Sequence, residues 1–130
     1  EAITETANCD SQADYAKRAE KISGVFGKLD GALAKRGNDG AYFNGPNFSL
    51  VDAAYAPFLQ RYTYMDRLRP LGIIEKSPRL AAWRDALIAH PAVKASTVPN
   101  FEAVWQDNLV IRKRWLGGLV PQSAHGAAAA

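Results

Sequence analysis

Sulfur and imidazole are scarce: one cysteine, Cys9, and two histidines, His90 and His125, stand in 130 residues. A lone thiol closes no internal disulfide, and no Cys/His cluster has zinc-site spacing. A reducing compartment therefore suits the chain, and no metal is expected. No stretch approaches the roughly 18 consecutive apolar residues of a spanning helix, and the amino end, Glu-Ala-Ile-Thr-Glu-Thr, lacks the basic flank of a leader peptide. The expectation is a soluble, cytoplasmic chain with no membrane partner. Period-two alternation is missing as well, so no strand is expected and no glycine-rich phosphate loop can follow one. A large excess of one charge is also absent, since 16 Lys+Arg face 13 Asp+Glu for a net +3. Despite a pI near 9.1, acids and bases interleave everywhere except at Arg112-Lys113-Arg114. That run reads as the last turn of a helix, where cations complement the dipole, rather than as a nucleic-acid patch. With no initiator methionine before Glu1, the chain is expected to come from a longer parent.

What is present is helix. Hydrophobic residues make up 48% and charged residues 22%, the balance of one domain that buries a core. Tyr15, Ala19, Ile22, Phe26, Leu29 and Leu33 recur at spacings of three and four behind a Ser11-x-x-Asp14 start signal, and Lys35-Arg36-Gly37 ends that helix. Gly24, Gly27 and Gly31 lower its helicity. They mark either the close approach of a neighbouring helix, the favoured reading, or a tolerated kink. Residues 37–48 read as an ordered loop around Tyr42-Phe43.

A second Ser-x-x-Asp, Ser49 and Asp52 with Phe48 ahead of it, predicts a capping box. Ser49 would cap the Asp52 amide, Asp52 would return to the Ser49 amide, and Phe48 would staple onto Ala53. The helix it opens carries apolar residues on more than one side and should be central, with a bend near Ala53 imposed by Pro57. Ser77-Pro78 opens a helix buried through Leu80, Trp83, Leu87 and Ile88 and ending at His90-Pro91. Val98-Pro99 opens a last helix reaching Trp115-Leu116, stopped by Gly117-Gly118. The chain reads as an all-α helical bundle: a flexible lead-in at 1–10, the domain at 11–116 and a disordered tail at 117–130.

Catalytic equipment is poor. Cys9 falls in a polar, mobile lead-in, His90 at a helix end where dipole capping accounts for it, His125 in the tail, and Asp52 in its capping box. No catalytic residue is assigned. Arg61, Tyr62, Tyr64 and Met65 differ, because one helical turn that mixes a cation, two phenols and a thioether can line a cleft for a part-apolar, part-anionic ligand. Trp115 on the last helix joins them.

The run from Tyr42 to Leu59, Y-F-N-G-P-N-F-S-L-V-D-A-A-Y-A-P-F-L, resembles the carboxy-terminal helical domain of cytosolic glutathione transferases, whose "Y-F-x-G-x-x-[ST]-h-x-D" stretch caps the central helix. Ser77-Pro78-Arg79-Leu80-Ala81-Ala82-Trp83 with His90-Pro91-Ala92-Val93-Lys94-Ala95-Ser96 is similar to that family's "P-x-L-x-x-W…x-P-x-V-x-x-S" segment. The resemblance spans residues 11 to about 116. It implies a parent, bacterial in appearance and detoxifying in role, that conjugates glutathione to a small hydrophobic electrophile. The thioredoxin-like domain that binds glutathione and supplies the catalytic side chain is not in this sequence, so the chain alone is expected to be inactive and to bind no cofactor. Cys9 is not the catalytic cysteine of beta- or omega-like members, which belongs to that other domain. Zeta-like relatives place a substrate-facing arginine about where Tyr64 falls, and this chain has Arg61 one turn earlier. Without the thioredoxin-like domain the face of the central helix is expected to bare apolar surface, which favours self-association, a homodimer among the outcomes. The rival is a non-catalytic helical module for protein association, of the kind appended to translation factors and tRNA synthetases. A third alternative, RNA or membrane-surface binding through Arg112, Lys113, Arg114 and Trp115, predicts a steep salt dependence.

Overall fold

Every residue of the stripe between Tyr15 and Leu33 is buried, along one face of a 24-residue helix. The structure, a computed structural model, describes residues 1–121. Among these the order is α1 (Ala2–Ala7), α2 (Gln12–Lys35), α3 (Leu50–Leu68), a 3-10 turn (Ile74–Lys76), α4 (Pro78–Ala89), α5 (Pro91–Ala95), α6 (Phe101–Ile111) and a second 3-10 turn (Trp115–Leu119). The domain is all-α, and the described residues hold no strand beyond an isolated bridge between Tyr42 and Gly45. Ser11 caps α2 by accepting from the Asp14 amide at 3.1 Å, and Gly37, in the left-handed region at φ +76°, ends it.

The central rod is α3. Ala56, Leu59, Tyr62 and Met65 are buried on it, and the Phe26 ring of α2 meets Tyr62 edge-on at 4.6 Å and Phe58 at 5.8 Å. Pro57 lies inside this helix and leaves the Ala53 carbonyl without its usual donor. From the other side Leu80, Trp83 and Leu87 of α4 complete the core. Each large side chain fully removed from water contributes roughly 1.5–3 kcal/mol, which makes this shared interior the main source of the fold's stability.

Four expectations are corrected. The lead-in contains α1, whose Ile3, Thr6 and Ala7 are buried together with Cys9. It docks on α2 because Ile3 and Ala7 share a face, Arg18 donates to the Glu5 carbonyl at 3.0 Å, and Lys21 pairs with Glu5 at 3.4 Å. The glycines of α2 mark no close approach, for a Cβ at Gly24, Gly27 or Gly31 would meet nothing within 4 Å. The last helix stops at Ile111, not Leu116, because Lys113 adopts φ 53° and the chain folds back. Its N–H reaches the Val110 carbonyl at 3.0 Å, and that of Arg114 reaches Leu109 at 2.9 Å. This is a Schellman end with lysine in the place that glycine prefers. Within the stretch read as a tail, residues up to Leu119 continue the 3-10 turn and Val120 is buried; the rest of that stretch, with His125, lies outside the described residues.

Candidate functional site

Two clusters combine chemistry-bearing side chains, one at each end of α3. At its start, the fully buried Asp52 accepts four hydrogen bonds. The Ser49 amide (2.8 Å) and hydroxyl (2.9 Å) bind one carboxylate oxygen, and the Phe43 amide (2.9 Å) and Trp83 indole (2.8 Å) bind the other. Burial pushes this carboxyl up, but the hydrogen bonds outweigh it and hold the group below the ordinary carboxylate range. A carboxylate so fully engaged ties loop, α3 and α4 together and has no lone pair to spare for proton transfer. The loop is braced by Arg36, which donates to the Tyr42 and Gly40 carbonyls. A Cβ at Gly40 would fall 2.2 Å from the Gly45 carbonyl carbon, so only glycine fits there. Phe48 stacks on His90 at 4.2 Å and meets Tyr42 edge-on at 5.8 Å. His90 is itself a cap, its Nδ1 accepting from the Ala92 amide at 3.1 Å at the start of α5; the dipole of α4 is not what holds it.

The second cluster forms where the distal half of α3 faces α6. The Arg61 guanidinium lies 5.0 Å over the Phe101 ring, with Nη1 donating to the Pro57 carbonyl at 3.1 Å. Tyr64 is 6.1 Å from Phe101 and 5.8 Å from Trp105. Arg67 reaches over Tyr64 and pairs with Glu102. Burial, then the Glu102 charge, push the Tyr64 phenol up. Arg61 and Trp105 continue into a cleft of about 210 Å³ between α1, α3 and α6, where Thr4, Asn8, Asn108 and Arg112 supply the other polar groups. This volume is below the roughly 300–1,000 Å³ of ordinary ligand sites.

Of the expected ligand-facing residues, Arg61 and Tyr64 come together here. Tyr62 and Met65 do not: both are fully buried in the core, Tyr62 against Phe26. Residues one position further round a helix turn away by about 100°. Trp115 is also elsewhere, 5.4 Å from Tyr15 with its amide donating to the Cys9 carbonyl at 3.3 Å, because the reversal at Lys113 takes it off the line of α6. Cys9 is buried rather than mobile, and burial pushes its thiol up, away from nucleophilic character. The sequence reading missed Phe101 as a ring partner and Trp83 as the Asp52 donor. A buried indole N–H and a buried carboxylate each need a partner, and matching the two would have paired them. Among the described residues no three His, Cys, Asp or Glu side chains converge as metal ligands, and no helix is long and apolar enough to cross a membrane.

The profile of the family described as "Glutathione S-transferase, C-terminal domain" matches residues 12–86, more than half of the chain. The chain belongs to this family. It is 34% identical over 95 residues to the maize (Zea mays) protein named probable glutathione S-transferase BZ2, covering 70% of this chain and 40% of that protein. It is 29% identical over 86 residues to glutathione S-transferase omega-1 of Sus scrofa, covering 66% and 34%. With glutathione S-transferase L1 of Arabidopsis thaliana the figures are 38% over 65 residues, 49% and 27%. The chain thus aligns with only about a quarter to two fifths of the length of these glutathione S-transferases. No solved structure matches it at a comparable level of significance. Both the Asp52 hub and Arg61 fall inside the matched span, whereas Phe101 and Trp105 lie beyond it.

Proposed function

We propose that this domain is the electrophile-facing wall of a glutathione transferase whose thioredoxin-like domain binds glutathione and activates its thiol. Arg61 and Arg112 orient an anionic or carbonyl-bearing end of the electrophile, while Tyr64, Phe101 and Trp105 contact its apolar body. The observation that carries this reading is the Arg61 guanidinium held against an aromatic cluster at the edge of a cleft, on a chain whose relatives bear the transferase name. Glutathione is the co-substrate of the parent, the location is cytoplasmic, and the box role of Ser49 and Asp52 is to start α3 rather than to do chemistry. The test is kinetic, on the intact parent. Arg61→Ala raises KM for a carboxylate-bearing electrophile about tenfold, one charge-assisted hydrogen bond, and leaves KM for glutathione and for a neutral electrophile unchanged. An equal loss with the neutral electrophile overturns the assignment. The 130-residue chain alone is inactive in a thiol-conjugation assay and shows no heat of glutathione binding; turnover comparable with a complete enzyme would refute that.

The rival reading, an association module, draws support from Ile111, 75% exposed at the end of α6 with Val110 beside it, and from the exposed Val104 in the first turn of α6 and Leu119 in the second 3-10 turn. It predicts a parent with no thioredoxin-like segment. The same residues are the candidate surface for a homodimer, which Ile111→Asp would weaken in sedimentation.

A further inference from the structure

After α6 the chain doubles back at Lys113, and residues 113–120 lie as a strap across one end of the bundle. Its hold is apolar: Leu116 is fully buried, Val120 nearly so, and the Trp115 ring packs 5.4 Å from Tyr15. Gly117 sits so close on the last turn of α6 that a Cβ there would fall 2.6 Å from the Leu109 carbonyl oxygen. Three features work against that hold. Lys113 occupies the left-handed region at φ 53°, where a side chain incurs a cost that glycine avoids. The Arg114 Nε–H is buried with no hydrogen-bond partner among the described residues. Its Nη1 lies 3.6 Å from the Asp10 carboxylate, too far for a hydrogen bond, and the Asp10 side chain is 81% exposed. Beyond itself and α6, the strap makes one hydrogen bond among the described residues, from the Trp115 amide to the Cys9 carbonyl at 3.3 Å.

We propose that residues 113–120 open and close as one unit, hinged at Lys113, while the helices behind them stay folded. Opening lets Lys113 leave the left-handed region and brings the Arg114 Nε–H to water, and both gains offset part of the lost burial of Leu116 and Val120. The central helices have no such release. Their backbone hydrogen bonds are internal, and Phe26, Leu59, Tyr62 and Trp83 share one core, so they open only with the whole domain. The hinge follows directly on α6, whose Asn108 and C-cap Arg112 line the cleft beside α1. A closed strap steadies the end of that wall, and an open one frees it. The device does not depend on the conjugation reading, which stands or falls with Arg61.

Amide hydrogen exchange of the 130-residue chain, read by NMR, is the test. The Arg114, Trp115 and Gly117 amides, each hydrogen-bonded in the closed strap, should share one protection factor. They should exchange about a hundredfold or more faster than the amides of Leu59 and Tyr62 in α3, with little dependence on urea. Lys113→Gly should slow the strap amides about fivefold, since the closed state is then unstrained. Arg114→Met should slow them as well, because a buried unpaired donor costs more than an exposed ion pair returns. Leu116→Ala, which removes the anchor, should speed them about tenfold or more. The proposal is overturned by strap amides that exchange at the α3 rate, that show three unrelated rates or that have no protection at all. Faster exchange in Lys113→Gly or in Arg114→Met overturns it too.

Discussion

At the scale of single residues, Asp52 carries more than its place in a helix start requires. A serine–aspartate cap contributes about 1 kcal/mol, but removing this carboxylate also orphans the Phe43 amide, the Ser49 amide and the Trp83 indole in a buried site. Asp52→Ala is therefore expected to cost about 3 kcal/mol or more in urea unfolding, and a loss near 1 kcal/mol would reduce it to a cap. Because the folded carboxyl lies below its ordinary value, the unfolded state binds the proton first as pH falls. The stabilisation is complete above the unfolded pKa of about 3.9 and is lost as pH drops through the folded value. Wild type should accordingly lose stability below about pH 4 more steeply than Asp52→Asn. Ser49 and Asp52 were legible from three-residue spacing alone. Trp83 was not, since nothing local relates positions 31 residues apart.

Element by element, the helices of the sequence match those of the structure wherever a stripe and a start signal coincide, as in α2, α3 and α4. The end of α6 is where periodicity misled. Its stripe runs on through Trp115, but backbone geometry at Lys113 overrides it. A non-glycine residue in the left-handed region is strained by about 1 kcal/mol, so Lys113→Gly should raise stability by about that amount, read as a higher Tm. Had the helix continued, the same glycine would lower it. The exposed, uncontacted Gly24 and Gly27 of α2 lead to the same kind of expectation. Alanine at either should stabilise by up to about 1 kcal/mol, whereas close helix packing would make it destabilising. Arg61 and Tyr64 were readable as a mixed turn, but which neighbours of that turn face inward depends on where α2 and α6 lie, and Tyr62 and Met65 went to the core for that reason.

For the molecule as a whole, α1 and the chain after Lys113 close one end of the bundle, where the Trp115 amide meets the Cys9 carbonyl and its ring meets Tyr15. Ile3 is 3% exposed there, so Ile3→Ala should cost about 2–4 kcal/mol in a melt; a flexible lead-in would register no change. The arrangement of strong local signals, caps, turns and 3.6-residue stripes, was settled by the sequence alone, and with it the all-helical class, the central position of α3 and the family. Those features arise from hydrogen bonds and periodicities that span a few residues. Only the tertiary structure decided that Asp52 meets Trp83, that Arg61 lies over Phe101 and that six amino-terminal residues form a docked helix. These depend on groups distant in the chain, and the direction a side chain takes across a bundle is fixed by packing volume, which no local pattern encodes.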